Sequence, residues 1–118
     1  MLDIGCGGRD GMALEIARSA AVDVTGVTLS TEQLALAREH TAGSRARFEL
    51  TDHRDVDGQY DRIISAGMFE HVGVANYDEY CATIACLLTY EGVAVVHSIG
   101  RRHGPDARLF NAWEWQVG

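Results

Sequence analysis

The sequence has little that would let it bind nucleic acid, cross a membrane or hold a metal. Acid outweighs base, with 17 Asp and Glu against 10 Lys and Arg, a net charge of -7 and a pI near 5.0. A surface that tracks phosphate backbones needs clustered Lys and Arg, so nucleic acid is excluded as a partner. No stretch approaches the roughly 18 consecutive apolar residues of a spanning helix. Cys6, Cys81 and Cys86 match no zinc-ligand spacing and leave one thiol without a mate. That argues for a reducing compartment and against a metal site. No charged segment followed by an apolar one precedes the opening LDIG, so a cytoplasmic location is expected. The one basic cluster, Arg101, Arg102, His103 and Arg108, reads as a solvated loop, the alternative being a contact for an anionic substrate or lipid headgroup.

What remains is an ordinary globular composition, 47% hydrophobic and 23% charged, in 118 residues that suffice for one domain spanning 1–118. Strand-like and helix-like patterns alternate along it, which predicts an α/β fold with a parallel sheet flanked by helices. Strands are expected at LDIG, at Val22 to Leu29, Ala46 to Asp52, Tyr60 to Gly67 and Gly92 to Ile99. Helices are expected from Met12 to Ala20, after Ser30, where Ser30 and Gln33 form an S-x-x-Q capping box, and after Asn76, where Tyr80, Ile84, Leu87 and Leu88 recur at helical spacing. No internal repeat, low-complexity run or linker interrupts the pattern before Ile99.

Two places carry chemistry. The stretch GMFEHVG, Gly67 to Gly73, puts Glu70 beside His71 just after the strand RIISA, and His97 ends the strand VAVVH. Ligands of open α/β sheets bind at that carboxyl edge, so both polar groups are aimed at one crevice. His71 is read as structural. The turn DIGCGGRDG, Asp3 to Gly11, is rich in glycines that permit a tight turn and a close approach of backbone amides to a ligand. Asp10 stands where a dinucleotide fingerprint wants its last glycine, and Asp3 suits a cationic ligand such as a sulfonium better than a nicotinamide cofactor. Thr28, Leu29 and Ser30 follow the second strand where nucleotide sites often carry an acid; a hydroxyl and the Gln33 amide suit a ribose, while mutual capping by Ser30 and Gln33 is an equal and compatible reading. Cys6 is expected as a small buried filler rather than a nucleophile.

The segments LDIGCG, GVTLSTEQ, DHRDVDGQYDRI, SAGMFEHVG, NYDEY and HSIG, in this order and spacing, resemble the cyclopropane-fatty-acyl-phospholipid synthases and mycolic acid cyclopropane synthases. The resemblance implies a Rossmann-like fold of the S-adenosylmethionine-dependent methyltransferases, here without its last strands, and methylene addition to the cis double bond of an unsaturated fatty acyl lipid, with peripheral membrane contact. By the same resemblance, Asp3, Gly5, Cys6 and Gly7 would surround the methionine part of the cofactor. Thr28, Leu29 and Gln33 would hold the ribose side, and His53 and Arg54 would lie at the adenine. Glu70, His97 and the backbone at Ile99 would bind a bicarbonate ion that acts as the catalytic base. Two places depart from the family: the glycine loop, where Arg9 and Asp10 stand, and His53, which replaces a Tyr or Trp. The family's anion site also draws on a cysteine upstream and a tyrosine downstream of the matched region, so the chain reads as a core piece. Another methyl acceptor, a fatty-acyl carbon or an amine, and a non-catalytic fragment are the alternatives.

Overall fold

A computed structural model describes residues 1–6 and 11–100. Gly7, Gly8, Arg9 and Asp10 of the glycine-rich turn and the basic cluster after residue 100 lie outside the described residues. The elements run β1 (Leu2–Ile4), α1 (Met12–Ser19), β2 (Val24–Thr28), α2 (Thr31–Glu39), β3 (Ala46–Leu50), β4 (Tyr60–Ala66), α3 (Phe69–Val72), α4 (Tyr77–Leu87) and β5 (Leu88–His97), with short 3-10 turns at His53–Asp55 and Val74–Asn76. The five strands pair in parallel in the order β3-β2-β1-β4-β5. The chain winds outward from β1 to β3, then crosses back to β4, so the winding direction reverses between β1 and β4 and the strand ends splay there into a crevice. The α/β parallel sheet is as expected from the alternating pattern.

Hydrophobic burial divides between the two faces of the sheet. Leu14, Ala17, Leu34 and Ala37 of α1 and α2 close over Val24, Ala46, Phe48 and Cys6. On the other face Tyr80, Ile84 and Leu87 of α4 close over Leu2, Ile4, Val27 and Ile63. At the β5 end, Val93 and Val95 stay 53% and 55% exposed. Their register partners Arg62 and Ile64 put them on the face that α1 and α2 cover elsewhere, beyond the reach of those two helices. No helix among the described residues is long and apolar enough to cross a membrane.

Local sequence explains the helix starts. Ser30 caps α2 by accepting the Gln33 N–H at 3.2 Å. The return half of the expected box is not made: the Ser30 N–H goes to Thr28 Oγ1 at 3.1 Å, and the Thr28 hydroxyl donates to Gln33 Oε1 at 3.1 Å. Asn76 precedes α4 without capping it and donates instead to the Val72 carbonyl at 3.0 Å, tying α4 to α3. β5 starts at Leu88, directly after α4, rather than at Gly92. Its first residues are out of step with β4, Tyr60 pairing Leu88 and Arg62 pairing Val93, and a side chain at Gly92 would meet Leu88 Cδ2 at 2.8 Å. The regular alternation visible in the sequence therefore begins only after the irregularity.

Gly26, at the centre of β2, has the Phe48 ring 2.6 Å from where a Cβ would stand, with Cys6 Cβ at 3.1 Å behind it. Phe48 is buried and cannot swing out without opening the core. Overpacking of this kind costs about 1–3 kcal/mol. Gly26→Ala is therefore expected to lower the unfolding free energy by about that amount, read from urea denaturation; an unchanged midpoint would show that Phe48 gives way freely.

Candidate functional site

The carboxyl ends of the strands converge on one cleft of about 350 Å³, within the size range of small-molecule sites. Gly5 after β1, Thr28, Leu29 and Gln33 after β2, His53 after β3, and Gly67, Met68 and His71 after β4 all line it. Gly5 adopts φ +78°, and a Cβ there would lie 2.9 Å from Met68 Sδ, so only glycine lets the strand turn this tightly against the Met68 side chain. Its N–H and that of Cys6 both donate to the Val27 carbonyl, at 2.9 and 3.1 Å, which holds the turn on β2. Thr28 and Gln33, bonded to each other, present a linked hydroxyl and amide at the next strand end.

Several expected site residues thus share the cleft: Gly5, Thr28, Leu29, Gln33 and His53. Others stand apart from it. Arg54 is exposed and folds back on Asp52 in a bidentate pair, Nε to Oδ1 at 3.1 Å and Nη2 to Oδ2 at 2.9 Å. Cys6 points into the core and burial pushes its thiol up to about 12, so it stays protonated and inert, a filler. Asp3 is buried on β1 beneath α1 and does not line this cleft. Gly7 lies outside the described residues. His71, which its sequence neighbourhood assigns to structure, lines the cleft, as do Met68 and Thr51. Their signal in the sequence is position alone: Thr51 directly follows β3, and Met68 and His71 lie in the turn and short helix that follow β4.

The second group sits at the ends of β4 and β5. The ladder runs past the strands, the Gly67 N–H donating to the His97 carbonyl at 3.0 Å, and so carries His97 and Ile99 alongside the turn that holds Glu70. Glu70 Oε1 accepts the Ile99 backbone N–H across 29 residues of sequence. Its other oxygen, Oε2, is buried and has no partner among the described residues. An orphaned carboxylate oxygen costs free energy and is a standing demand for a donor. His97 is exposed at the strand end. The site therefore offers a ligand cleft over β3, β2 and β1 and, on the β4–β5 side, an acceptor poised for a proton-bearing group.

At the far end of the cleft, His53 Nδ1 lies 3.2 Å from Asp52 Oδ1, outside hydrogen-bond geometry, and has no hydrogen-bond partner among the described residues. The ring stands edge-on to Tyr80 at 4.9 Å between centroids. Asp52 is held down at about 2, chiefly by the Arg54 guanidinium, and so is ionised at any physiological pH.

A family model described as mycolic acid cyclopropane synthetase matches residues 1–114. The cyclopropane-fatty-acyl-phospholipid synthase of Escherichia coli (strain K12) is 46% identical over 102 residues, which are 86% of this chain and 26% of that protein. Cyclopropane mycolic acid synthase 1 of Mycobacterium tuberculosis (strain ATCC 25618 / H37Rv) is 34% identical over 107 residues, 87% of this chain and 37% of that one. The crystal structure of mycolic acid cyclopropane synthase CmaA1 complexed with SAH and CTAB superposes with a TM-score of 0.76 at 27% identity, covering 99% of this chain and 46% of that chain. The chain thus spans about a quarter to two fifths of the length of the curated relatives it matches.

Burial raises the Asp3 carboxyl from 3.8 to about 6, against a smaller opposite pull from the Ala13 backbone amide. A raised pKa means that the folded state prefers the neutral acid, so this contribution to stability is fully present below pH 4 and is lost as pH rises through about 6. Asp3→Asn removes the dependence. Relative to the natural chain, the variant should gain about 2–3 kcal/mol of unfolding free energy between pH 4 and pH 7, measured by denaturation at both pH values; a constant difference would show that Asp3 ionises freely in the fold.

Proposed function

The chain belongs to the mycolic acid cyclopropane synthetase family, and from that premise we propose that it is the cofactor-binding core of an enzyme that methylates the cis double bond of an unsaturated fatty acyl chain and closes it to a cyclopropane ring. S-adenosylmethionine, when bound, supplies an electrophilic methyl group on a sulfonium. Gly5 admits the ligand to the strand end, the linked Thr28 hydroxyl and Gln33 amide suit the ribose diol with Leu29 beside them, and His53 would lie at the adenine. Asp3 does not line the cleft, and what it adds is the field of a carboxylate that is negative above its raised pKa, which favours a cationic ligand at the end of β1.

The observation that carries this reading is Glu70, with one oxygen on the Ile99 N–H and the other buried beside the ligand edge of the sheet without a partner among the described residues. Methyl addition to an alkene leaves a cation, and ring closure needs a base to take a proton from the new methyl group. Carboxylate charge close to that cation lowers the barrier. Bicarbonate, the base that the family resemblance implies, fits the orphaned Oε2 because its O–H is the missing donor. Glu70 and His97 would hold it, and it would supply the base. The acceptor is a phospholipid or carrier-bound acyl chain, and with a net charge of -7 any membrane contact is local and peripheral in a cytoplasmic enzyme.

Titration calorimetry of the folded chain with S-adenosylhomocysteine is expected to give saturable binding; a folded chain that binds none overturns the proposal. In a chimera where this chain replaces the matching segment of the Escherichia coli relative, Glu70→Gln should lower turnover on unsaturated phospholipid vesicles by roughly 10²–10⁴-fold while leaving cofactor affinity unchanged.

A further inference from the structure

The segment NYDEY, Asn76 to Tyr80, lines no part of the ligand cleft, yet three of its side chains converge on the short helix that bears Glu70. Asn76 Nδ2 donates to the carbonyl of Val72, the last residue of α3, at 3.0 Å. Tyr77 lies on the ring of Phe69, the first residue of α3, with centroids 4.2 Å apart and planes 20° from parallel. Tyr80 meets the same ring at 5.7 Å and 55°, and its hydroxyl is fixed by Ser65 of β4. The two acids between the tyrosines are exposed. α3 is thus gripped at both ends, and it needs the grip. A helix of four residues makes too few hydrogen bonds to hold itself, and no side chain caps its start. Phe69 and Glu70 are adjacent in the chain, so a ring that shifts carries the carboxylate with it.

We propose that Tyr77, by stacking on Phe69, is a positioning residue that holds the Glu70 carboxylate against the Ile99 amide and so sets where the base sits. The inference rests on the reading of Glu70 given above. Tyr77 belongs to neither hydrophobic core, unlike Tyr80, Ile84 and Leu87 of the same helix. Its ring therefore serves the placement of α3 rather than the closure of the sheet. Two stacked aromatic rings prefer a defined separation and tilt, whereas an aliphatic side chain of similar volume fills the space without fixing the angle. Glu70 depends on that angle, because its Oε1 must meet a single backbone N–H on the neighbouring strand end, 29 residues away in sequence.

The test reads the Ile99 amide by NMR on the full chain and turnover in the Escherichia coli chimera described above. In the natural chain the Ile99 amide is expected to exchange with solvent about 10- to 100-fold more slowly than in Glu70→Ala, the effect of one hydrogen bond to a charged acceptor. Tyr77→Leu should bring the exchange close to the Glu70→Ala value while the amides of the five strands keep their shifts, and Tyr77→Phe, which retains the stack, should preserve the protection. In the chimera Tyr77→Leu should lower kcat on unsaturated phospholipid vesicles by roughly 10- to 100-fold with the KM for S-adenosylmethionine unchanged, and Tyr77→Phe should restore it; a merely structural role would move both constants together. If Tyr77→Leu keeps the slow Ile99 exchange, or Tyr77→Phe loses it, the positioning role is overturned while the proposed function stands. A Tyr77→Leu chain that does not fold gives Tyr77 a place in the core and overturns the role as well. If the exchange responds as expected but turnover is unmoved in Tyr77→Leu and Glu70→Gln alike, the proton-handling reading of Glu70 falls and the positioning role falls with it.

Discussion

The pairing of two buried hydroxyls, Tyr80 on α4 and Ser65 on β4, underlies the arrangement of the whole ligand edge. Both residues are fully buried, and each satisfies the other, so α4 can dock on the sheet only with Tyr80 aimed at that one serine. Tyr80 then becomes a platform. Its ring abuts His53 on the β3 side and Phe69 on the β4 side, Phe69 in turn stacking on Tyr77. His53 lines the cleft, and Phe69 immediately precedes Glu70 in α3. A single buried contact thereby ties the cleft residue His53 to the turn that carries Glu70.

Function concentrates at the strand ends because backbone demand and side-chain freedom meet there. Between neighbouring strands the amides are committed to ladders, and side chains alternate between two cores. Beyond the last ladder bond, amides such as that of Ile99 become available to a carboxylate, and hydroxyls such as Thr28 bond one another across a turn. The Rossmann-like scaffold contributes the crevice, and residues just past the strands contribute the chemistry.

Much of this was legible in the chain itself. Apolar runs between glycine and polar turns marked the five strands, Ser30 marked the start of α2, and the neighbouring Glu70 and the strand-final His97 pointed to one edge. The contacts that refine the site were not. The Glu70 bond to Ile99 spans 29 residues, and the His53 contact with Tyr80 joins two elements whose proximity depends on the crossover from β3 to β4. Gln33 turned from its expected capping partner because Thr28, at the end of the preceding strand, competes for the same amide. Periodicity carries no trace of such competition, nor of the irregular start of β5, which hides Leu88 to Glu91 from an alternation count. His71 escaped for a different reason: its side-chain type suits structure and site equally, and only the turn after β4 decides between them.

The three-residue strand β1 lies at the middle of the sheet and serves both hydrophobic cores. Leu2 and Ile4 enter the core beneath α4, while the flanking Met1 and Cys6 enter the one beneath α1 and α2. Neither half of the molecule has a complete interior without it. The two cores are thermodynamically welded: displacing β1 exposes both at once, so the described fold has no route by which one half melts and the other survives. Partial opening is confined to the outer strands, and the shortest strand of the sheet is the source of its cooperativity.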